Sequence, residues 1–307
     1  MPTDLVTGAF GFTGSLIAER LLDAGRRVLT LTRRSHSAHP LASRVEQLAY
    51  DFDEAALRQS LTGVDTVYVT YWMRFPRGGA TWDEMVDNVA RLARSSAAAG
   101  VRRLVYVSVT NARHNSSTAY FRAKATAEDA VRAAGDGRMS SAIVRPTLLY
   151  GDGDILINHM AWTLRRLPVF GIPGGGRYRV QPVLVDDVAD LCVRLGAGDE
   201  TLETDAAGPE TMAFDELVTR VRAAVRSRAL LVHLPVPVVL AATRVIGMAV
   251  GDVVLTRDEM RELMESLLVS HDPAGTCPTA FSDWVSRHTD SVGRHYSSEL
   301  ARNFRLR

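Results

Sequence analysis

With 307 residues, 46% of them hydrophobic, the chain has enough apolar material for one large or two modest cores, which excludes a disordered polypeptide. Its 36 basic and 35 acidic side chains leave a formal charge of +1 with no dense basic block, so the electrostatic footprint of a nucleic-acid binder is missing. Cys192 and Cys277 are too few and too distant for a disulfide framework or a thiolate metal cluster, and a reducing, cytoplasmic setting is expected.

The opening Met1-Pro-Thr-Asp has no basic segment before an apolar run, so a secretory signal is not expected. Leu5-Val6, a glycine turn from Thr7 to Gly14 and a helical period through Ile17, Leu21 and Leu22 read as strand, tight loop and helix. Gly25 closes that helix and Val28–Thr32 is the second strand. Further strands are predicted at Val45–Leu48, Thr66–Thr70, Arg103–Val107 and Ala142–Arg145, and helices at Phe52–Leu61, Glu84–Ala99 and Ala119–Ala134. This alternation predicts an α/β fold, a Rossmann-type doubly wound parallel sheet, with ligands at the carboxyl ends of its strands.

Beyond it the spacing predicts a glycine- and proline-containing loop at Gly171–Gly176, a strand at Gln181–Val185, and helices at Asp186–Leu195 and Thr211–Arg228. The last hundred residues read as mainly helical, with a loop at His271–Thr279. The expected division is a dinucleotide-binding domain over 1–150 with 178–207 returning to it, and a smaller, mainly helical substrate region over 151–177 and 208–307, forming one wall of a cleft. Leu234–Leu255 is strongly apolar, but Arg244, Pro235, Pro237 and Asp252 argue against a membrane span. It reads as a buried or groove-forming helix, or as a surface that also touches lipid or a greasy substrate.

Gly8-x-x-Gly11-x-x-Gly14 at a strand-to-helix turn points to a dinucleotide: the first glycine permits the bend, the second lets backbone approach a pyrophosphate, and the third lets the helix pack closely. Phe10 and Phe12 lie between them as further candidate cofactor contacts. A site selective for NAD(H) commonly ends its second strand in an acid. Here Thr32-Arg33-Arg34-Ser35 has none, and Arg33 and Arg34 suit a 2′-phosphate, which favours NADP(H) while leaving NAD(H) as the alternative. Asp51 suits either the adenine amino group or a cap for the helix starting near Asp53.

Tyr120 and Lys124 stand four apart on a predicted helix and so share a face. A phenol beside a nicotinamide can exchange a proton with a carbonyl or alcohol oxygen, and an ammonium nearby stabilises the phenolate and binds ribose hydroxyls. The preceding strand ends Val107-Ser108-Val109-Thr110-Asn111, making Ser108 the first and Thr110 the second candidate for a hydroxyl that polarises the substrate. After the fourth strand, Trp72, Arg74 and Phe75 are candidates for a substrate wall, and His159 is a candidate after the sixth. His114 reads as near the catalytic strand or simply exposed. The histidines form no metal-ligand spacing, and Gly-x-Ser-x-Gly is absent, so neither a catalytic metal nor hydrolase chemistry is expected.

Together the glycine loop, Asp51, Asn88, Ser108, Tyr120 with Lys124, Arg145–Gly151 and Gln181–Ala189 make the chain resemble the short-chain dehydrogenase/reductase superfamily. The resemblance is to its extended and atypical members, those like NAD(P)-dependent epimerases/dehydratases or 3β-hydroxysteroid dehydrogenases. It implies Tyr120 as general acid/base, Lys124 on the ribose, Pro146 and the backbone after it lining the nicotinamide, and Asn88 supporting the active-site helix or a proton-relay water. Val109 stands where many extended members carry a second hydroxyl, and the interval to Tyr120 is short for a sugar-nucleotide epimerase.

The expected function is NADP(H)-dependent interconversion of a ketone and a secondary alcohol on a small to medium, partly apolar molecule. The alternatives are an epimerase or dehydratase that reduces its cofactor transiently, and a non-enzymatic NADP(H)-binding redox sensor. A small-molecule substrate is the expected partner, without nucleic acid or a transmembrane span, in a form compatible with a homo-oligomer.

Overall fold

The computed structural model describes residues 1–33, 38–49, 53–135, 137–272 and 275–304. Two compact units emerge, the first comprising Met1–Pro146 and Val185–Ala206, the second Thr147–Leu184 and the chain from Ala207 through the last described residues.

The first unit begins β1 (Thr3–Thr7), α1 (Phe12–Asp23), β2 (Arg27–Thr32), β3 (Glu46–Ala49), α2 (Glu54–Ser60), β4 (Thr66–Val69), α3 (Trp82–Ala98), β5 (Arg103–Val107), α4 (Ala119–Ala134) and β6 (Ser140–Pro146). The chain then passes through the second unit as β7 (Leu148–Tyr150), α5 (Leu156–Arg166), β8 (Val169–Pro173), β9 (Arg179–Val180) and β10 (Pro182–Leu184). It re-enters the first as α6 (Val185–Ala197) and β11 (Leu202–Ala206), and ends in the second with β12 (Met212–Ala213), α7 (Phe214–Ala224), β13 (Leu230–Leu234), α8 (Val236–Val250), α9 (Arg257–Met264) and α10 (Phe281–Arg287).

Seven strands of the first unit form one sheet in the order β11-β6-β5-β4-β1-β2-β3, and every pairing is parallel. Burial on both faces explains the near-continuous apolar runs of the inner strands, where Leu5, Val67, Leu104, Tyr106 and Ile143 are all at most 1% exposed. The order reverses between β1 and β4, which opens a crevice at their carboxyl ends. Helix α6 docks on α1 through Arg20, which bonds Asp186 at 3.1 Å and also pairs with Asp190, so both aspartates anchor α6 to its neighbour. Asp53 caps α2 by accepting from the Ala55 and Ala56 N–H groups, and the cap considered for Asp51 therefore belongs to Asp53. Asp51 itself, like Arg34, lies outside the described residues.

Several boundaries of the second unit differ from the sequence reading. Residues 148–150 and 182–184, assigned by sequence to the dinucleotide-binding domain, pair with each other as β7 and β10 and lie in the second unit. Gly171–Pro173, read as loop, belongs to β8, which pairs in parallel with the unpredicted strand β13. The helix expected over Thr211–Arg228 is shorter, because Met212 and Ala213 first pair with β9. The core of this unit joins α5, α7 and α10, with Tyr150 packed edge-on against Phe281 and Trp284 at centroid distances of 5.1 and 5.2 Å. Among the described residues no helix is long and apolar enough to cross a membrane.

Candidate active site

The turn after β1 is built on close backbone approach. Gly8 has φ +68°, a conformation that costs glycine little, and its carbonyl accepts the Gly11 N–H at 2.8 Å. A Cβ on Gly14 would stand 2.2 Å from the Gly8 oxygen, so a side chain there would push helix and turn apart. Helix α1 starts at Gly11 with no side-chain cap and no acid in its first turn, leaving its N-terminal dipole open to an anion. The turn is fastened to β4: the Thr7 hydroxyl oxygen accepts the Thr70 and Tyr71 N–H groups at 2.9 and 3.0 Å, and the Thr70 hydroxyl donates to the Thr7 carbonyl. The tight turn and the uncapped helix N-terminus beside it fit a dinucleotide pyrophosphate. Phe10 flanks the turn, edge-on to His39 at 5.1 Å, and Phe12 opens the helix. Arg33, just past β2, is exposed.

At the far side of the crevice, β5 and β6 hold the candidate hydroxyls. The Ser108 N–H donates to the Val144 carbonyl at 2.7 Å, and the Thr110 N–H to the Pro146 carbonyl at 3.0 Å, fixing both residues to the next strand. Their side chains differ. Thr110 donates its hydroxyl to Asp205 Oδ2 at 2.9 Å, whereas Ser108 Oγ is buried with no hydrogen-bond partner among the described residues. An orphaned buried hydroxyl costs free energy unless something bonds it, a usual sign of a position that meets a ligand.

Helix α4 carries Tyr120 and Lys124 on one face, and both meet the indole of Trp72. Tyr120 is half-buried and edge-on to Trp72 and Trp82, at 6.3 and 5.4 Å between centroids. Trp72 and Trp82 stack at 5.9 Å. Lys124 is 2% exposed; its ammonium donates to the Val107 carbonyl at 2.9 Å and lies 4.2 Å from the Trp72 ring centroid and 5.0 Å from that of Tyr106. Aromatic faces and a single carbonyl replace its water only in part. Burial therefore pulls its pKa down to about 7, against the opposing pull of Glu128 one turn on. Glu128 is itself held by Arg145 at 2.6 and 2.9 Å and by Arg132 at 2.9 Å.

The remaining candidates separate. Asn88, buried on α3, donates to the Tyr71 hydroxyl at 3.2 Å. Arg74 lies over the Phe75 ring at 5.7 Å, and Phe75 is 9% exposed, packed into the first unit. His159 lies in the second unit, stacked on Tyr296 at 4.3 Å and bonded to the Ser297 carbonyl at 2.8 Å, where it holds the C-terminal segment against α5. His114 is exposed and paired with Asp129. Trp82 and Tyr106 went unnoticed in the sequence. Tyr106 sits inside an ordinary apolar strand, and Trp82 opens α3 ten residues beyond Trp72, so neither has a local motif.

Residues 5–204 match the model of the NAD dependent epimerase/dehydratase family, about two-thirds of the chain. The chain belongs to this family. Among curated members of similar sequence, a 2-alkyl-3-oxoalkanoate reductase of Stenotrophomonas maltophilia is 27% identical over 60% of this chain and 62% of its own length. The chain thus spans about three-fifths of that relative. A (4-alkanoyl-5-oxo-2,5-dihydrofuran-3-yl)methyl phosphate reductase of Streptomyces griseus is 33% identical over 69% of this chain and 70% of its own. Of solved structures, the NADPH-dependent quinone oxidoreductase QOR2 of Escherichia coli, complexed with NADPH, superposes with TM-score 0.73 at 19% identity, covering 93% of this chain and 99% of the other. MoeE5 in complex with UDP-glucose and NAD superposes with TM-score 0.68 at 19% identity, covering 96% and 99%. These likenesses support the shared fold of the family.

Because Lys124 is buried, its depressed pKa links to stability. Between about pH 7 and 10 the unfolded chain binds a proton that the folded one has released, so unfolding free energy should rise with pH across that window. In the cofactor-free protein, an NMR titration of the Lys124 side chain should show a midpoint near 7; a midpoint above 9 would mean that the ammonium is better solvated than its enclosure indicates.

Proposed function

We propose that the first unit binds a nicotinamide dinucleotide on the Gly8–Gly14 turn and that the protein interconverts a secondary alcohol and a carbonyl, with Tyr120 as the general acid/base. The observation that carries this reading is the buried Ser108 hydroxyl just past β5, unpartnered among the described residues, with the helix that presents Tyr120 and Lys124 as the next element of the chain. When bound, the dinucleotide supplies or accepts the hydride. The chain's own part is proton handling and positioning. Ser108 donates to the reacting oxygen, and Tyr120 gives that oxygen its proton in reduction or removes it in oxidation. Lys124 offers positive charge and ribose-binding N–H donors behind the phenol. Thr110 is assigned a positioning role through Asp205, and Pro146 lines the nicotinamide.

Family membership supports transient use of the cofactor, as in an epimerase or dehydratase, better than net oxidoreduction. Net reduction is the second reading, favoured by the two reductases named above. The substrate in either case is a small carbonyl or alcohol compound, with Trp72 and Trp82 as an apolar wall beside Tyr120. For the cofactor, the family's NAD dependence and the NAD-bound MoeE5 support NAD(H), whereas the basic end of β2 at Arg33 and the NADPH-bound QOR2 support NADP(H). The two arguments are separable by experiment.

Tyr120→Phe should leave dinucleotide affinity intact and lower turnover about 100-fold or more, as expected on losing a general acid/base. Product formed without net change in nicotinamide absorbance supports the epimerase or dehydratase outcome, and one cofactor oxidised per product supports net reduction. Turnover by Tyr120→Phe close to that of the parent would remove the phenol from the chemistry. Arg33→Ala should weaken NADP(H) more than NAD(H) in a binding titration, because the phosphate adds a charge-assisted contact; an equal effect on both would end the case for phosphate selectivity.

A further inference from the structure

The second unit contains a half-open apolar pocket of about 310 Å³ under helix α8. Val239, Ala242, Thr243 and Ile246 face it, spaced at one, four, five and eight along the helix, which makes them a single stripe of α8. Opposite them lie Met160, Phe170 and Leu263 among other apolar groups, and among the described residues no Asp, Glu, Lys or Arg lines the space. Two of its three polar side chains are engaged within the protein: Thr243 donates to the Leu240 carbonyl at 3.1 Å, and His159 Nε2 meets the Ser297 carbonyl at 2.8 Å. Such walls offer little to water or to a charged headgroup.

An unfilled apolar space of this size forfeits dispersion contacts along its whole lining. An enclosed apolar cavity of about 150 Å³, half this volume, stays dry and accepts a six-carbon ring. On that scale the present one takes a hydrocarbon on the order of ten to twelve carbons. Helix α8 fully buries only Val239 and Gly247, so admitting a chain beneath it does not require prising apart a tightly packed core.

We propose that this pocket is a binding site for one saturated alkyl chain, the tail of a lipid-like molecule, held by the inner stripe of α8. The inference concerns the second unit by itself and does not depend on the reaction proposed above. Full-length protein labelled at its methyl groups would be titrated with n-hexanol, n-octanol, n-decanol and n-dodecanol. Saturable shifts are expected at Val239, Ile246 and Leu263, with affinity rising about fourfold per added methylene. The gain should stop once the chain fills the space. Val239→Trp, at a buried position of the lining, should abolish binding by filling the space, while Val245→Lys, at a position 61% exposed, should leave it unchanged. Affinity independent of chain length, or loss by Val245→Lys with Val239→Trp unaffected, would mean adsorption to the outer surface and overturn the proposal. Should Val239→Trp not fold, the methyl shifts and chain-length series of the parent protein still decide it. Neither readout involves turnover, so a failure of the proposed chemistry leaves this test intact.

Discussion

The approach of Gly14 to the carbonyl of Gly8 is the constraint on which the site depends. Only a residue without a Cβ lets α1 start this near the end of β1. That placement brings the helix N-terminus to the point where the strand order reverses, between β1 and β4. Thr7 and Thr70 then lock the two strand ends together through side chain to backbone bonds, so the anion-binding end of the helix and the floor of the crevice form one rigid piece.

On the other side of the crevice the balance is between burial and charge. Lys124 is taken almost wholly out of water and is compensated by one carbonyl and two aromatic faces, which leaves its proton held near neutrality. Trp72 is the common neighbour of Lys124 and Tyr120, so both side chains pack on a residue of the loop that follows β4. Trp82 backs that indole and extends the apolar surface beside the phenol. The proton chemistry proposed for Tyr120 would therefore take place next to an apolar wall.

Much of the first unit was legible because its signals are local. Strands buried on both faces must be apolar throughout, helices between them must carry a stripe, and a tight strand-to-helix turn must use glycine. What escaped the sequence depended on distant partners. The partner of the Thr110 hydroxyl is Asp205, 95 residues away on β11, a strand whose Leu-Glu-Thr-Asp-Ala gives no apolar run because it lies at the sheet edge. Gly171 and Pro173 look like loop residues, yet they are in a strand because β13, about sixty residues later, pairs with them. His159 lines the space under α8 and also stacks on Tyr296, a contact that no spacing rule anticipates.

The most direct test of the account is the affinity of Gly14→Ala for NADH and NADPH, measured by calorimetric titration, with circular dichroism confirming that the sheet and helices persist. The added methyl group must displace either the turn or the helix, and overpacking of this kind costs about 1–3 kcal/mol, so both dinucleotides should bind about tenfold more weakly or worse. Parental affinity for both in a folded variant would contradict the claim that this turn is where the cofactor is held.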